Sequence, residues 1–181
     1  MNSGKNLESE ILLAALKDAH IQHLIRLAQD PMLTDLMGWD TCFAEHETAA
    51  FIEAISLFAF PYSRTSEPVV FGIYVKSQTC PIGYVVLKGL NTDLCTAEVG
   101  IAILDRQYWH QGIGREALRL IMDYGVNKLQ LHTLAAAALA TNKRSIQLFQ
   151  KLGFKVRETW YRSWPMPNGD LADMLWLEWI A

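Results

Sequence analysis

The chain has 181 residues, 51% of them hydrophobic, which suits one domain with a sizeable core. Only 19% are charged and the formal net charge is −3, which argues against long disordered stretches and against a nucleic-acid binder that neutralises many phosphates. Cys42, Cys80 and Cys95 are odd in number and lack metal-ligand spacing, so reduced thiols in a cytoplasm are expected, and no apolar run is long enough to span a membrane.

Residues 1–10 are polar and acidic and are expected to be a flexible N-terminus, neither signal peptide nor anchor, ahead of one domain over residues 11–181. Ile11 to Leu16 reads as a first strand. Asp18 reads as the N-cap of a helix carrying Ile21, Leu24, Ile25 and Ala28, which ends before Pro31. A second helix is expected from Glu45 to Phe60, broken by Pro61. Val69 to Lys76 and Ile82 to Lys88 read as strands around a turn at Gln78–Pro81, and Ala97 to Leu104 as the next strand. After a glycine turn, a helix runs to about Leu129. Leu131 to Leu139 is apolar and reads as strand despite its alanines. Asn142 to Leu152 is a short helix stopped by Gly153. Phe154 to Trp164 and Leu171 to Ile180 are the last strands. The predicted order, β-α-α-β-β-β-α-β-α-β-β, is an α+β pattern with a mixed sheet.

Gln111-Gly112-Ile113-Gly114-Arg115-Glu116-Ala117 carries the chemistry. It stands between the apolar Val99–Leu104 segment and a helical pattern of Ile113, Ala117, Ile121 and Tyr124. Glycines there let backbone N–H groups approach a phosphate at the positive end of a helix. A P-loop is excluded, because one residue separates the glycines and Arg115-Glu116 follows, where Lys-Ser/Thr is needed. A dinucleotide fingerprint fits G-x-G-x-x-A by letter. It lacks the βαβ context and the acidic residue after the next strand, where Ala140, Thr141 and Asn142 stand.

Two further segments complete a different pattern. Asn142-Lys143-Arg144-Ser145 opens a helix, and Leu148-Phe149-Gln150-Lys151-Leu152-Gly153-Phe154 closes it into a strand. With Tyr108-Trp109-His110-Gln111-Gly112-Ile113-Gly114, the chain resembles the GNAT superfamily of acyl-CoA-dependent N-acyltransferases. The run Ala97-Glu98-Val99-Gly100-Ile101 leading to Tyr108-Trp109 is similar to its ribosomal-protein N-acetyltransferase branch, the RimJ/RimL type. The resemblance covers about Ile11 to Ile180 and is sharpest from Ala97 to Phe154.

The resemblance implies a single α+β domain, with a mixed, mostly antiparallel sheet flanked by helices and acetyl-CoA as co-substrate. It implies that Gln111, Gly112, Ile113, Gly114 and Arg115 carry the pyrophosphate. It places the pantetheine arm against the main chain of Ile103 and Leu104, with Asn142 beside it; Asn142 is also a good helix N-cap. Ser145, one turn on, is placed near the cofactor sulfur, where it steadies the leaving thiolate. Many members carry Tyr where Phe149 stands, and Phe has no proton to donate. Trp109 is expected to pack under the turn. Arg106, His110 and Arg115 are candidate positive charges for the pyrophosphate, and Lys143 and Arg144 for the 3′-phosphate.

Acyl transfer needs a neutral amine, so a base must take its proton. Glu98 is the best candidate, since its neighbours Ala97 and Val99 suggest partial burial and a raised pKa; a cross-strand ion pair is the competing role. Asp173 is a weaker alternative. His20 and His23 share a helix face without a third ligand, so no metal is expected. The expected activity is transfer of acetyl from acetyl-CoA to a primary amine, on a small molecule or a protein N-terminus, by direct attack. The acceptor grooves are sought between Met32 and Phe60 and near Tyr161–Gly169. The expected partners include no nucleic acid and no membrane, and the expected state is monomer or homodimer. A non-catalytic acyl-CoA sensor is the alternative, and a nicotinamide-dependent oxidoreductase a weaker third.

Overall fold

A computed structural model describes residues 10–38, 43–59, 63–76 and 78–181. The expected flexible N-terminus, Cys42 and the end of the expected second helix at Phe60 lie outside the described residues. The chain runs β1 (Ile11–Ala14), α1 (Asp18–Ala28), α2 (Pro31–Met37), α3 (Thr48–Ser56), β2 (Val69–Val75), β3 (Gly83–Asn91) and β4 (Thr96–Ile103). Then come a 3-10 turn (Arg106–Tyr108), α4 (Ile113–Leu129), β5 (Thr133–Leu139), α5 (Lys143–Lys151), β6 (Lys155–Pro165) and β7 (Leu171–Ile180). The strands form one sheet in the order β1-β2-β3-β4-β5-β7-β6, antiparallel throughout except between β4 and β5.

Alternation along the central strands sorts side chains onto two faces. Val85, Leu87 and Val99 point to one face and pack with Ile113, Ala117, Leu118 and Ile121 of α4. Tyr84, Val86, Ala102 and Leu104 point to the other, against Leu24 and Ile25 of α1, Leu33 of α2 and Phe51 of α3. Burying such aliphatic side chains contributes roughly 1.5–3 kcal/mol each before the opposing entropy is counted.

Three local expectations change. Lys17, not Asp18, sits at the N-cap of α1, and Asp18 is the first helical residue, where its carboxylate suits the positive helix end. Pro31 does not merely end a helix; it opens α2. Asp30 caps that helix by accepting the Met32 N–H at 3.0 Å, and proline at the first helical position forfeits no bond. The second expected helix shrinks to Thr48–Ser56 and becomes the third in order.

In α4, Arg119 grips Glu116 with two bonds of 2.9 and 2.6 Å and reaches Asp123 at 2.9 Å. The hydrogen bond from Arg119 holds the Glu116 carboxyl below its ordinary range. Glu116→Gln is therefore expected to lower stability by about 0.5–1 kcal/mol near neutral pH. A lowered folded-state pKa gives stability that is complete above the unfolded value of 4.5 and is lost as pH falls through the folded one. Urea denaturation of both proteins across an acid series checks this; a gap that persists at the acid end would refute the assignment.

Candidate functional site

β4 and β5 begin as parallel neighbours and then part. Pairing runs from Thr96↔Thr133 to Glu98↔Ala135 and stops there, although β4 continues to Ile103 and β5 to Leu139. On its other side β4 stays paired to β3 as far as Gly83↔Ile103. The result is a wedge-shaped gap inside the sheet, with backbone groups of β4 facing it. The Leu104 N–H donates to Ile82 O at 2.9 Å, towards β3, which turns the Ile103 carbonyl of the same peptide to the gap. There it accepts a bond from Trp109 Nε1 at 2.8 Å. Of the two residues expected beside a pantetheine arm, Ile103 thus presents a gap-facing carbonyl, and the Leu104 amide is committed to β3.

Beyond the gap the chain forms the glycine turn. His110 and Gly112 both adopt left-handed backbone, at φ 61 and 79, and α4 starts immediately after. The Arg115 and Glu116 N–H groups fold back onto Gly112 O. Among the described residues, no partner accepts from the N–H groups of Gln111, Gly112, Ile113 or Gly114. Consecutive unpaired amides around left-handed residues, at the positive end of a helix of 17 residues, are chemically suited to holding an anion. At Gly114 a Cβ would stand 3.3 Å from Leu148 Cδ2, so the small residue also allows α4 and α5 to approach. Arg115 is exposed beside the turn. Arg106 is ion-paired with Asp30 at 3.0 Å. Arg144 lies 4.3 Å over the Trp109 ring, and burial pulls its guanidinium below the ordinary value. Trp109 therefore ties three parts together: the end of β4, the turn and α5.

At the start of α5, Asn142 Oδ1 accepts the Ser145 N–H at 3.0 Å, and Asn142 Nδ2 donates to Leu36 O of α2 at 3.0 Å. The cap and a tether between α2 and α5 are one side chain. Ser145 lies one turn further on, facing the cavity described below. Phe149, a further turn along, is 3% exposed and packs edge-on against Phe154 at 5.1 Å.

Glu98 is 3% exposed. Directly across the strands from it, Lys88 brings Nζ to 3.2 Å from Oε1. The other oxygen, Oε2, accepts the Ala59 N–H at 2.6 Å, and Lys88 Nζ also donates to Leu57 O at 2.5 Å. The segment leaving α3 is thus clamped onto a buried cross-strand ion pair. Asp173 is placed differently: its carboxylate accepts the Arg162 N–H at 2.8 Å and stabilises a β6 bulge where Arg162 has φ 49.

One cavity of about 680 Å³ joins these parts. Glu98, Lys88, Gly100 to Ile103, Trp109, Gly114, Asn142, Arg144, Ser145 and Phe149 line it, and so does Tyr84. On the helical side Leu33, Leu36 and Met37 of α2, with Ile55, Leu57 and Phe58 of and after α3, complete the wall. Trp164 of β6, whose indole donates to Gly38 O, and Met174 of β7 close the far side. Both regions expected to form an acceptor groove contribute. The α2 residues fall within the first of these regions, whereas Lys88 and Tyr84 carry no signal of a site in the sequence. Lys88 was discoverable only through strand register, which sequence does not supply.

No helix among the described residues is long and apolar enough to cross a membrane. A family model described as an acetyltransferase (GNAT) domain matches residues 10–155. The mouse alpha/beta-tubulin-N-acetyltransferase 9 is 42% identical over 81 residues, 43% of this chain and 33% of that protein. The chain spans about a third of the length of such curated relatives. Among solved structures, the Vibrio cholerae spermidine N-acetyltransferase in complex with CoA and spermine superposes with a TM-score of 0.80 at 17% identity, over 95% of this chain and 96% of that one. RimL, a ribosomal alpha-N-protein acetyltransferase in complex with coenzyme A, gives 0.80 at 16% identity, over 95% and 94%. At these identities the likeness speaks to the fold.

Proposed function

Since the chain belongs to the acetyltransferase (GNAT) domain family, we propose that it transfers an acetyl group from acetyl-CoA to a primary amine. The observation that carries this reading is the row of unpartnered amides from Gln111 to Gly114, placed at the end of a gap between β4 and β5. A diphosphate fits the donors, and an extended amide-bearing arm fits the gap beside Ile103. Bound acetyl-CoA supplies the activated acetyl group. In this reading Gln111 to Gly114 hold the anion with Arg115 nearby, and the Ile103 carbonyl and Asn142 orient the arm. Glu98 takes the proton from the attacking amine, directly or through water. The Ser145 hydroxyl steadies the departing sulfur, the task that Phe149 cannot perform. Attack is direct, because no Cys/His nucleophile pair lines the cavity among the described residues. Within the family we place the chain beside the ribosomal-protein alpha-N type. The free thiols of Cys80 and Cys95 suit a reducing compartment, the cytoplasm.

Phe149 supports a second reading, an acyl-CoA sensor without turnover. Calorimetry with CoA, followed by thiol release from acetyl-CoA in the presence of an amine panel, separates the two. Binding with acceptor-stimulated thiol release is expected. Binding without it would favour the sensor, and absence of binding would remove both readings.

A further inference from the structure

One nucleophile in the cavity has no part in the transfer described above. Among the described lining residues Lys88 is the one lysine, and its side chain is only 17% exposed. β3 presents it directly opposite Glu98, with Nζ 3.2 Å from Glu98 Oε1. Its stem leans across β4 over Gly100. A Cβ built on Gly100 would stand 3.7 Å from Lys88 Cε and 4.0 Å from Lys88 Nζ. The bare glycine is what lets the amine reach across the strand. Glu98 is the last residue of β4 paired with β5, so Gly100 stands where the gap has just opened. The Lys88 nitrogen therefore lies over the narrow end of the gap, the end to which an arm entering past Ile103 points.

Building on the acetyl-transfer reading, we propose that Lys88 is a self-acetylation site: with acetyl-CoA bound and no acceptor present, its own amine takes the acetyl group. It meets what that reaction asks of an acceptor. It is a primary alkylamine inside the cavity, and a carboxylate stands within hydrogen-bond distance to remove its proton. Arg144, the other cation of the described lining, is excluded because a guanidinium does not give up its charge. The atoms balance. The bond from Nζ to the acetyl carbon forms and the carbon–sulfur bond breaks. One ammonium proton passes through Glu98 to solvent, and a second leaves with the released thiol. The product is an amide, which is no acyl donor, so direct attack remains the route to external acceptors. The step is slow, because the ammonium must first leave Leu57 O, to which it donates. Acetylation removes the charge that meets Glu98 and places a bulkier group over Gly100, in the acceptor's path. A protein held with acetyl-CoA and starved of acceptor thus turns itself off.

Coenzyme A binding is measured first by calorimetry, so a failure of the acetyl-transfer reading shows as absent binding. The protein is then incubated with isotope-labelled acetyl-CoA and no acceptor, and the label is placed by peptide mass mapping. Lys88 is expected to take label at least ~10-fold faster than the exposed Lys128 and Lys151. Its rate constant should not change with protein concentration, as an intramolecular step requires. Gly112→Asp, at acetyl-CoA concentrations that leave that variant unbound, should lose the label. Acceptor-stimulated thiol release is expected to fall at least ~10-fold in the labelled protein. Lys88→Arg, which keeps a cation opposite Glu98, should leave the same incubation with the rate at which it entered. A CoA-binding protein without label at Lys88 would overturn the proposal. So would label that persists in Gly112→Asp or spreads evenly over the exposed lysines. Full rate in protein labelled at Lys88 would overturn the self-inactivation. The mapping uses the unaltered chain, so it decides the site even where a variant fails to fold.

Discussion

Gly112→Asp is expected to weaken coenzyme A binding by at least ~100-fold, about 2.7 kcal/mol, while leaving the protein folded. Gly112 sits at φ 79 as the N-cap of α4. A non-glycine residue there costs about 1–2 kcal/mol of backbone strain, which Asp partly offsets because its carboxylate caps helix N-termini well. That same carboxylate occupies the amides of the turn with negative charge and repels a diphosphate. Calorimetry with CoA, alongside a thermal melt, separates the two effects. Affinity within a few-fold of the parent, in a protein that still melts cooperatively, would remove the anion site from this turn.

For Glu98→Gln the expected result is a fall in kcat of about 10²–10³-fold with CoA affinity changed less than about threefold. The variant also disrupts the buried pair with Lys88 and so should melt earlier, since leaving one buried charge uncompensated costs about 3–5 kcal/mol. Lys88 is 17% exposed on its side chain and keeps its bond to Leu57 O, which places the loss towards the lower end. Rate alone therefore cannot distinguish a base from a strut. The pH–rate profile can: a proton acceptor leaves an acid limb in kcat/KM, and that limb should disappear in the variant. A uniform drop with the limb retained would make Glu98 a structural residue and Lys88–Glu98 only the clamp that holds Leu57 and Ala59 in place.

Much of the fold was legible where local chemistry and periodicity agree. The last strand falls at Leu171–Ile180 as read, α4 ends at Leu129 as read, and Asn142 caps α5. The errors have definite causes. The first helix does end before Pro31, but α2 escapes a local reading, because proline breaks helix interiors and yet, after a capping Asp30, starts one. Helical periodicity from Glu45 onwards overran, because Glu47 is the N-cap and Leu57, Phe58 and Ala59 keep apolar character while the segment beyond α3 extends to meet Lys88 and Glu98. In the site, the glycine turn was readable because its function resides in the backbone. The Trp109 indole on Ile103 O and the Arg144 stack on Trp109 join residues from separate elements and carry no local signature.

By itself the amino-acid order determined the succession of strands and helices apart from α2, the glycine turn at 112 to 114, the N-cap at 142 and the absence of a hydroxyl at 149. These are properties of single residues and near neighbours, set by φ preference, capping and side-chain chemistry. Tertiary structure alone decided that β4 and β5 part after Glu98↔Ala135, that Lys88 stands opposite Glu98, and that α2 supplies the wall facing them. Register and strand order join residues far apart in the chain, through packing and loop closure, and no local pattern encodes which partners will meet.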